Sequence, residues 1–442
     1  MKKNGLRVAL LSIIIFGLIV LPVFFAETTA ALPIWIVSVI ALMLINVFPS
    51  TVHRPSVRLR ILSDGTDLLC AFLVNLFLLS VYGIMIAPLL FGWFTFSFWM
   101  NVLVSFLTEL IVFWNGIIRV YCAANMIGMK WRVLGLICGM IPLANIFVLA
   151  NLISLSQQEV AREEQRAIRQ AQRDGQFICQ TKYPILLVHG VFFRDLEKFN
   201  YWGRVPQELQ KNGAALYYGN QQSALNIVDS AQELTAAIQN ILHTTGCQKV
   251  NIIAHSKGGL DSRYAISCLG MAEYVASLTT INTPHRGCEF AEWLLDHASE
   301  QFRNGVADKY NFALKKMGDS TPDFLAAVSD LKASHCAEFN KNVPDMPQVY
   351  YQSVGSKINR PMRNIFPLCF SNLFAGFFDG PNDGLVTVQS AKWGSKFTYV
   401  ESTAPEGLSH ADMIDLMRHD KTDFDVREFY VELVSDLKNK GF

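Results

Sequence analysis

Three residues that could supply a nucleophile, an acid and a base lie in the second half of the chain. Ser256 stands in "NIIAHSKGGL", Asp383 in "GPNDGLV" and His410 in "GLSHADM". A serine hydroxyl becomes an effective nucleophile when a histidine removes its proton and a carboxylate orients that histidine. The order Ser, Asp, His is one in which such groups occur along a chain. The sequence therefore predicts a catalytic triad made of these three residues.

The segment around Ser256 has the form A-x-S-x-G, which is close to the G-x-S-x-G turn that exposes a nucleophilic serine. That turn needs small residues two positions before and after the serine, and Ala254 and Gly258 meet this need. Ser256 would then adopt a strained backbone conformation. The short pattern also occurs by chance in ordinary turns, so the prediction depends on Asp383 and His410.

Backbone N–H groups that could bind an oxyanion are predicted at two places. In "LLVHGVFFRD" the amide of Val191 follows Gly190, and the amide of Lys257 follows the serine. Two such donors would stabilise the negative charge of a tetrahedral intermediate. Taken alone, the first segment could equally be a glycine turn after a buried strand. Phe192 and Phe193 would line an apolar pocket beside these donors or simply pack.

Other residues compete for the same roles. His255 adjoins the serine and should point back into the sheet, and His285 in "NTPHRG" precedes the acid and is predicted to be structural. His419 is the alternative base, but it lies in a charged "MRHDK" run that is typical of a solvated helix end. Asp379 is the alternative acid.

Strand-forming runs alternate with helical segments from residue 183 onward. The runs are 184–190, 214–219, 249–256, 276–284, 348–355 and 396–402. Several are continuous apolar runs, which are typical of parallel strands covered on both faces. The alternation predicts a doubly wound, mostly parallel sheet, with reactive groups at the carboxyl ends of its strands. Each member of the predicted triad follows a different strand.

A set of motifs in this half resembles the secreted bacterial true lipases, the triacylglycerol lipase family of the α/β-hydrolase fold. The motifs are "YPILLVHG", "KVNIIAHSKGG", "TPHRG", "EFNKNVPDMPQVYYQSVG", "NDGLV" and "SHADM", over residues 183 to about 435. The resemblance implies Ser256 as nucleophile, His410 as base and Asp383 as its orienting acid. It implies the amides of Val191 and Lys257 as oxyanion donors.

The resemblance further implies hydrolysis of carboxylic esters through an acyl-enzyme, with lipids as the expected substrates of a triacylglycerol lipase, phospholipase or esterase. An acyltransferase on the same fold, or a non-catalytic membrane scaffold, is the alternative. The insertion at about 289–345 would be a helical lid that covers an acyl pocket, or a helical excursion that completes the fold. The hydrolase domain is predicted to cover 178–442.

No cofactor is implied as a requirement, although lipases of this family often carry a structural calcium ion. One ligand is an aspartate two residues after the catalytic histidine, and Asp412 occupies that position. The second family carboxylate should lie about twenty residues before the catalytic aspartate. The basic segment "INRPMRNIFP" contains no carboxylate, which makes calcium doubtful.

The first 155 residues are strongly apolar and are predicted to form a multi-span transmembrane domain. Five apolar segments approach or reach spanning length. They are 8–25, 32–48, 68–91, 97–118 and 133–153. A chain with these segments resembles a membrane-anchored subfamily, because the secreted lipases have no such domain. The charged stretch 156–177 is predicted to be a solvated helical linker that ends at Gly175.

The distribution of basic residues predicts the orientation. Lysine and arginine occur before the first segment, between the second and third, and between the fourth and fifth, while the other two connections have none. By the positive-inside rule the chain starts in the cytoplasm, and after five crossings the hydrolase domain is extracytoplasmic. If the first segment were a cleaved signal peptide, the orientation of the rest would be the same. We therefore expect a multi-pass protein of the cell membrane.

Charge balance and cysteine spacing restrict the remaining functions. Lys+Arg 38 against Asp+Glu 37 leaves almost no net charge, so nucleic acid is not an expected partner. The nine cysteines show no metal-binding spacing and are expected to be mainly free thiols, although bridges remain possible. Glu109 lies inside the fourth apolar segment. It could have a functional role or form an interhelical hydrogen bond with Asn75, Asn101 or Asn115.

Overall fold

The computed structural model of the chain describes residues 2–24, 31–48, 54–93, 95–139, 141, 144–191, 200–361, 368–421 and 423–442. The chain divides into two compact units, Met1–Gln172 and Arg173–Phe442, which are described separately below.

The secondary structure of unit 1 is helical throughout its described residues, with short turns and loops between the helices. Its α-helices are α1 (Lys2–Phe24), α2 (Ala31–Val47), α3 (Val57–Val81), α4 (Ala87–Phe91), α5 (Phe96–Ala123), α6 (Gly128–Cys138) and α7 (Ala144–Arg173). A π-helical turn, Tyr82–Ile86, joins α3 to α4. Packing of α3 against α5 is close, because a β-carbon added to Gly116 would lie 2.8 Å from the side chain of Leu69.

Three helical stretches in the described residues are long and apolar enough to cross a membrane, and a fourth apolar helix is shorter. The three are Gly5–Pro22, Val57–Phe91 and Phe96–Ala123, and the shorter one is Leu32–Val47. The predicted fifth span is not a single helix, because α6 ends at Cys138 and α7 begins at Ala144. The intervening sequence contains a glycine and a proline, which interrupt helices.

The charged stretch predicted to be a separate solvated linker is the second half of α7. It belongs to unit 1, and Glu159 is fully buried there. The Glu159 carboxylate accepts hydrogen bonds of 2.8 Å from the backbone N–H groups of Asn125 and Met126, and it also binds Arg58. The helix ends two residues before Gly175, which has the positive φ of 74° that the prediction of a helix stop requires. The division between the two units falls between residues 172 and 173, within the stretch 156–177 that the sequence predicts to be the linker.

Unit 2 contains the predicted parallel sheet, which confirms the α/β-hydrolase fold class. The strands are β1 (Ile185–Val188), β2 (Leu216–Tyr218), β3 (Val250–His255), β4 (Val275–Ile281), β5 (Tyr350–Ser356) and β6 (Lys396–Val400). The sheet has 6 strands in the order β2-β1-β3-β4-β5-β6, and every pairing is parallel. All six predicted strand runs are confirmed.

Unit 2 also contains ten α-helices among its described residues. They are α8 (Val205–Lys211), α9 (Ile227–Thr245), α10 (Gly258–Cys268), α11 (Glu289–His297), α12 (Glu300–Lys316), α13 (Phe324–Ser329), α14 (Ala333–Asn342), α15 (Leu368–Asp379), α16 (Val388–Ala391) and α17 (Val426–Asn439). Four of them, α8, α9, α10 and α17, pack on the two faces of the sheet. In β1, Leu186 packs with α9 and α10, whereas Leu187 packs with α8 and α17. A strand that is buried on both faces must be apolar throughout, which is why "ILLV" carries no alternation.

Four of these helices, α11 to α14, form the excursion between β4 and β5 that the sequence predicts as a lid. The first, α11, has no buried residue. Eight cysteines in the described part of the chain are free thiols.

Candidate active site

The acid and the base predicted from the sequence are hydrogen-bonded to each other. His410 Nδ1 lies 2.7 Å from Asp383 Oδ2, and both side chains are almost completely buried. The residues come from the loops that follow β6 and β5, which are neighbouring strands. The backbone N–H of His410 also donates to the Asp383 carbonyl at 2.9 Å. The loops are therefore fixed together by main chain and side chain, and the imidazole has a defined orientation.

Ser256 lies at the end of β3, immediately before α10, in the sharp turn that the sequence predicts. Its φ is 55°, in the left-handed region that is unfavourable for a residue with a β-carbon. Its N–H donates to the Ile281 carbonyl at 3.0 Å, which anchors the turn to β4. Gly258 must be small, because an added β-carbon would lie 2.4 Å from the carbonyl oxygen of His189. A strained serine at a strand end is typical of a nucleophile elbow.

Ser256 and His410 are not hydrogen-bonded to each other in the described structure. Among the contacts of the described residues, no hydrogen bond links Ser256 Oγ to the imidazole of His410. The ring of His410 packs beside that of His255, with 4.3 Å between the ring centroids. In an enzyme without substrate, such a hydrogen bond is often long or absent and tightens only in the Michaelis complex.

The two predicted oxyanion donors come from the loop after β1 and from the residue that follows the serine. Val191 follows the β1 loop, and Lys257 is the N-cap residue of α10. Among the backbone hydrogen bonds of the described residues, none has the N–H of Val191 or of Lys257 as its donor. Tyr201 holds the β1 loop in place, because its hydroxyl accepts the Gly190 N–H at 3.1 Å and bonds His255 Nδ1 at 2.7 Å. Phe192 and Phe193, which the sequence predicts to line an apolar pocket or simply to pack, lie outside the described residues.

The side chain of Lys257 has a role that the sequence analysis left open. Its ammonium group lies 2.5 Å from Asp261 Oδ1 and donates to Ser230 Oγ at 3.1 Å. Both members of the ion pair are buried, with side-chain exposures of 2% and 3%. Burial raises the pKa of Asp261 to about 7, although the nearby ammonium opposes this effect. The pair fastens the residue that carries an oxyanion donor to the first turn of α10.

Asn282 is a site residue that the sequence analysis missed. It follows β4 with a φ of 47°, and its side-chain amide donates to Asp383 Oδ2 and to Ser356 Oγ. The other carboxylate oxygen of Asp383 accepts the N–H groups of Leu385 and Val386 at 2.9 and 2.7 Å. These hydrogen bonds, together with that to His410, fix the direction of the carboxylate. In the sequence, Asn282 could have been identified by its position, because it is a polar residue directly after a central strand.

The competing residues occupy other positions. His285 is buried, contacts Thr280 Oγ1 at 2.9 Å and stacks on Trp393, which fits the predicted structural role. Burial lowers its pKa well below the usual value, and the positive charge of Arg263 adds to the effect. His419 is exposed and is not in a helix, unlike the predicted helix end. Asp379 is the last residue of α15.

The surroundings of Asp412 do not fit a calcium site. Asp412 Oδ2 accepts hydrogen bonds from Ser409 N–H and Oγ, and it pairs with Lys421 Nζ at 2.9 Å. The ammonium group already supplies the positive charge that a calcium ion would bring. No group of three or more metal-binding side chains occurs in the part of the chain that the structure describes. We therefore assign no catalytic step to calcium.

An apolar cavity of about 230 Å³ opens beside the serine. Ser256, Val191 and Leu385 line it, together with side chains of α11, α12 and α13. The wall residues include Phe290, Leu294, Leu295, Phe302, Phe324 and Leu331. Their chemistry suits a hydrocarbon chain whose reacting carbonyl group would reach the serine and the two N–H donors.

Comparisons with known proteins find lipases, although no family model matches the chain. It is 35% identical over 178 residues to a triacylglycerol lipase from Pseudarthrobacter phenanthrenivorans, which is 37% of this chain and 54% of that protein. It is 30% identical over 238 residues to a triacylglycerol lipase from Vibrio cholerae, which is 49% of this chain and 75% of that protein. The chain thus spans about half the length of the first of these relatives and three quarters of the second.

A solved structure with a similar architecture is the mature form of a lipase from Bacillus licheniformis. It is 22% identical, has a TM-score of 0.42, and the match covers 53% of this chain and 88% of that one. Family membership rests on the sequence relatives, above all on the one matched over three quarters of its length. The chain belongs to the triacylglycerol lipase family.

Proposed function

We propose that the protein is a membrane-anchored serine hydrolase that cleaves carboxylic esters of lipids. The observation that carries this proposal is the 2.7 Å hydrogen bond between His410 and Asp383, at the same edge of the sheet as the strained Ser256. Enzymes that transfer acyl groups use this arrangement, in which a carboxylate orients a base and the serine has a strained backbone conformation. The family of the chain supports the same reaction class.

The reaction would proceed through an acyl-enzyme. Ser256 Oγ attacks the ester carbonyl carbon while His410 Nε2 takes its proton, and the N–H groups of Val191 and Lys257 bind the oxyanion. His410 then gives the proton to the leaving alcohol. A water molecule, activated by the same imidazole, releases the acid and restores the serine. Throughout, Asp383 stabilises the imidazolium ion and keeps Nδ1 protonated.

Two features support a lipid as the acyl donor. The cavity beside Ser256 is lined almost wholly by apolar side chains, so a hydrocarbon chain would leave water on binding. Unit 1 contains three helices that are long and apolar enough to cross a membrane, which would hold the enzyme where lipids are concentrated. Glyceride and phospholipid esters both fit these features.

A fluorophosphonate probe tests the nucleophile. We expect the full chain in detergent to be labelled, the Ser256→Ala variant to remain unlabelled, and Ser267→Ala, which alters a half-buried serine near the end of α10, to be labelled like the wild type. Equal labelling of wild type and Ser256→Ala would refute the nucleophile assignment and leave the non-catalytic scaffold as the better explanation.

Isotope incorporation separates hydrolysis from acyl transfer. In ¹⁸O-water, hydrolysis of triolein or phosphatidylcholine in mixed micelles yields fatty acid with the heavy oxygen. An acyltransferase would instead yield a new, unlabelled ester with an added alcohol. Activity restricted to short, water-soluble esters would indicate an esterase and would argue against lipid substrates.

Protease treatment of intact cells tests the proposed orientation. With unit 2 extracytoplasmic, an epitope at the C-terminus should be lost when protease is added outside. Protection of that epitope in intact cells, followed by its loss after lysis, would place the hydrolase unit in the cytoplasm and reverse the topology.

A further inference from the structure

Helix α15, which precedes the loop of Asp383, has an apolar outer face. Its residues 368–378 contain no charged side chain. Asn372 is buried, whereas three apolar side chains are 48%, 53% and 85% exposed, those of Leu373, Phe374 and Phe377. Helices at a water-facing surface normally place charged residues on the outer side and apolar residues on the inner side. The polarity of α15 is therefore reversed.

The inner side of α15 is fixed to the loop that carries Asp383. The side-chain amide of Asn372 donates to Asn382 Oδ1 at 2.7 Å and to the Asn382 carbonyl at 3.0 Å. The Asn382 amide donates back to the Asn372 carbonyl at 3.2 Å, and Asn382 Oδ1 accepts the Gly384 N–H at 2.9 Å. Turning the phenylalanines of α15 inward would break these hydrogen bonds. The apolar face is thus a fixed part of the surface.

Helix α11 extends this apolar face. The ring of Phe290 stacks on that of Phe374, with 5.6 Å between the centroids and 9° between the planes, and Trp293 lies 5.6 Å from Phe378. Trp293 and Leu294 are 43% and 40% exposed. The exposed side chains of the two helices form one aromatic surface, which consists of Trp293, Leu294, Leu373, Phe374 and Phe377.

The acidic residues in the middle and last turns of α11 point away from α15. Glu292 accepts the Ser334 N–H at 3.0 Å, and Asp296 pairs with Lys332. Both partners lie at the start of α14. Residues four apart share one side of a helix, so this side of α11 is charged and turned toward α14. The opposite side is apolar and turned toward α15.

The aromatic surface adjoins the cavity beside Ser256. Leu294 belongs to both, and Phe290, which stacks on Phe374, also lines the cavity. An acyl chain that leaves a lipid layer at this surface would therefore meet the apolar wall of the cavity directly. This continuity favours the source of the substrate, a lipid layer, over a protein partner as what covers the surface.

The length and composition of the helices also favour a lipid layer. With 12 residues α15 is too short to cross a bilayer, and a short helix with phenylalanine and leucine on one side lies along the interface between head groups and acyl chains. Trp293 suits the same location, because tryptophan is enriched at membrane interfaces. The same chain contains three helices that are long and apolar enough to cross a membrane.

We propose that the aromatic surface lies in the interfacial layer of the bilayer in which unit 1 is anchored. The inference rests on the membrane anchoring and the lipid substrate of the proposed function, and it adds the face of the hydrolase unit that meets the bilayer. Because α15 follows β5, it lies outside the excursion that the sequence predicts as a lid, and its contact with lipid requires no lid movement. The surface would hold the cavity beside Ser256 against the layer that supplies the substrate.

Photocrosslinking identifies what covers the aromatic surface. The photoreactive amino acid p-benzoylphenylalanine replaces Phe377 in the full chain, which also carries Ser256→Ala so that no ester is turned over. The protein is reconstituted into phosphatidylcholine vesicles and irradiated. We expect phosphatidylcholine adducts on the α15 peptide in mass spectra. The same replacement at Tyr274, which is 43% exposed and directly precedes β4 at the opposite edge of the sheet, is the control and should yield few adducts.

Hydrolysis measurements test whether the contact serves lipid substrates. Phe377→Asp places a charge in the apolar layer and should lower hydrolysis of a long-chain diacylglycerol in vesicles about tenfold, which corresponds to about 1.4 kcal/mol of lost binding. Hydrolysis of a soluble p-nitrophenyl ester in detergent should be unchanged, because Phe377 does not line the cavity beside Ser256. Phe377→Trp should retain both activities, and Tyr274→Asp is the matched control.

Three crosslinking results would overturn the proposal. They are a crosslink from position 377 to a second copy of the chain, a crosslink to a helix of unit 1, or as many lipid adducts at position 274 as at position 377. If Phe377→Asp lowers both ester activities alike, the crosslinks decide. Lipid adducts at position 377 in a protein whose wild type hydrolyses no lipid would support this surface while refuting the lipid substrate, so the two proposals can fail separately.

Discussion

A β-carbon added to Gly190 would lie 2.6 Å from the β-carbon of Ser256, so these two residues touch with no room for a side chain. The contact joins the loop after β1 to the turn after β3. The Val191 amide follows Gly190 directly, and its position relative to the serine depends on this close approach. The glycine is therefore required by the distance between two backbones; its φ is not in the left-handed region.

Replacement of Gly190 should impair turnover more than folding. In Gly190→Ala the methyl group must push the two loops apart, at a cost of about 1–3 kcal/mol in the free energy of unfolding. Misplacing one oxyanion donor should lower kcat by about 10²-fold. Steady-state hydrolysis of a p-nitrophenyl ester measures this effect. Gly305→Ala, where an added β-carbon meets nothing within 4 Å, is the control and should keep its activity.

Turnover should require both the negative charge of the Asp383 carboxylate and its ability to accept a hydrogen bond from His410. Asp383→Asn can still accept the Leu385 and Val386 N–H groups, but it would favour the wrong tautomer of His410. We expect kcat to fall by about 10³–10⁴-fold with little change in the unfolding midpoint. Asp412→Asn is the matched control, because that carboxylate contacts Ser409 and Lys421. An equal loss in both variants would contradict the assigned roles.

The buried ion pair behind the serine should be more important as a pair than either residue alone. Lys257→Met leaves the Asp261 carboxyl group buried without a cation and should destabilise unit 2 by about 3–5 kcal/mol. The double variant Lys257→Met/Asp261→Leu should recover most of this loss and keep fluorophosphonate labelling, since the backbone amide remains. Pulse proteolysis in urea, followed with a C-terminal tag, gives the midpoints. A double variant as unstable as the single one would show that the pair is required for more than charge compensation.

Acid should destabilise unit 2 through its buried histidines. Burial lowers the pKa of His285 and of His255 well below the usual value. The unfolded chain takes up these protons near pH 6.5 while the native chain does not, so the free energy of unfolding falls as the pH drops below about 6.5. Each histidine contributes up to about 1.4 kcal/mol per pH unit in that range.

Replacing His285 tests this dependence. His285→Gln can still hydrogen-bond Thr280. Because it removes one group that takes up a proton on unfolding, its urea midpoint should decline less steeply between neutral and acidic pH than that of the wild type. His243→Gln, at an exposed position in α9, should leave the decline as it is in the wild type. If His285→Gln were as acid-sensitive as the wild type, the titration would have to be assigned to other groups.

Much of the catalytic unit could be predicted because its information is local. Each strand is an apolar run with a polar or glycine-containing end, and the parallel arrangement brings those ends to one edge. Ser256, Asp383 and His410 could therefore be chosen before their separation in space was known. The spacing of Lys257 and Asp261, which lie one helical turn apart, also indicates their ion pair.

Other features depend on contacts between distant residues. Asn282 gains its role only because β4 lies beside β5, so that its amide reaches Asp383. Asp412 matches a calcium ligand in sequence, but Lys421, nine residues later, occupies its carboxylate. The charge density of the stretch 156–177 predicts solvation, whereas Glu159 within it is fully buried in unit 1. Glu159 of α7 pairs with Arg58 of α3, and Glu164 pairs with Arg54, which precedes α3; both arginines lie about a hundred residues earlier in the chain.

The burial of Glu159 in α7 also determines where a soluble version of the hydrolase unit can begin. A polypeptide starting at residue 156 would carry Val160 and Glu159 without the helices that cover them, and would expose apolar surface that favours aggregation. Arg173, by contrast, binds Glu428 of α17 and belongs to unit 2. Expression vectors for crystallisation should therefore start just before Arg173, some seventeen codons downstream of the point that hydropathy suggests.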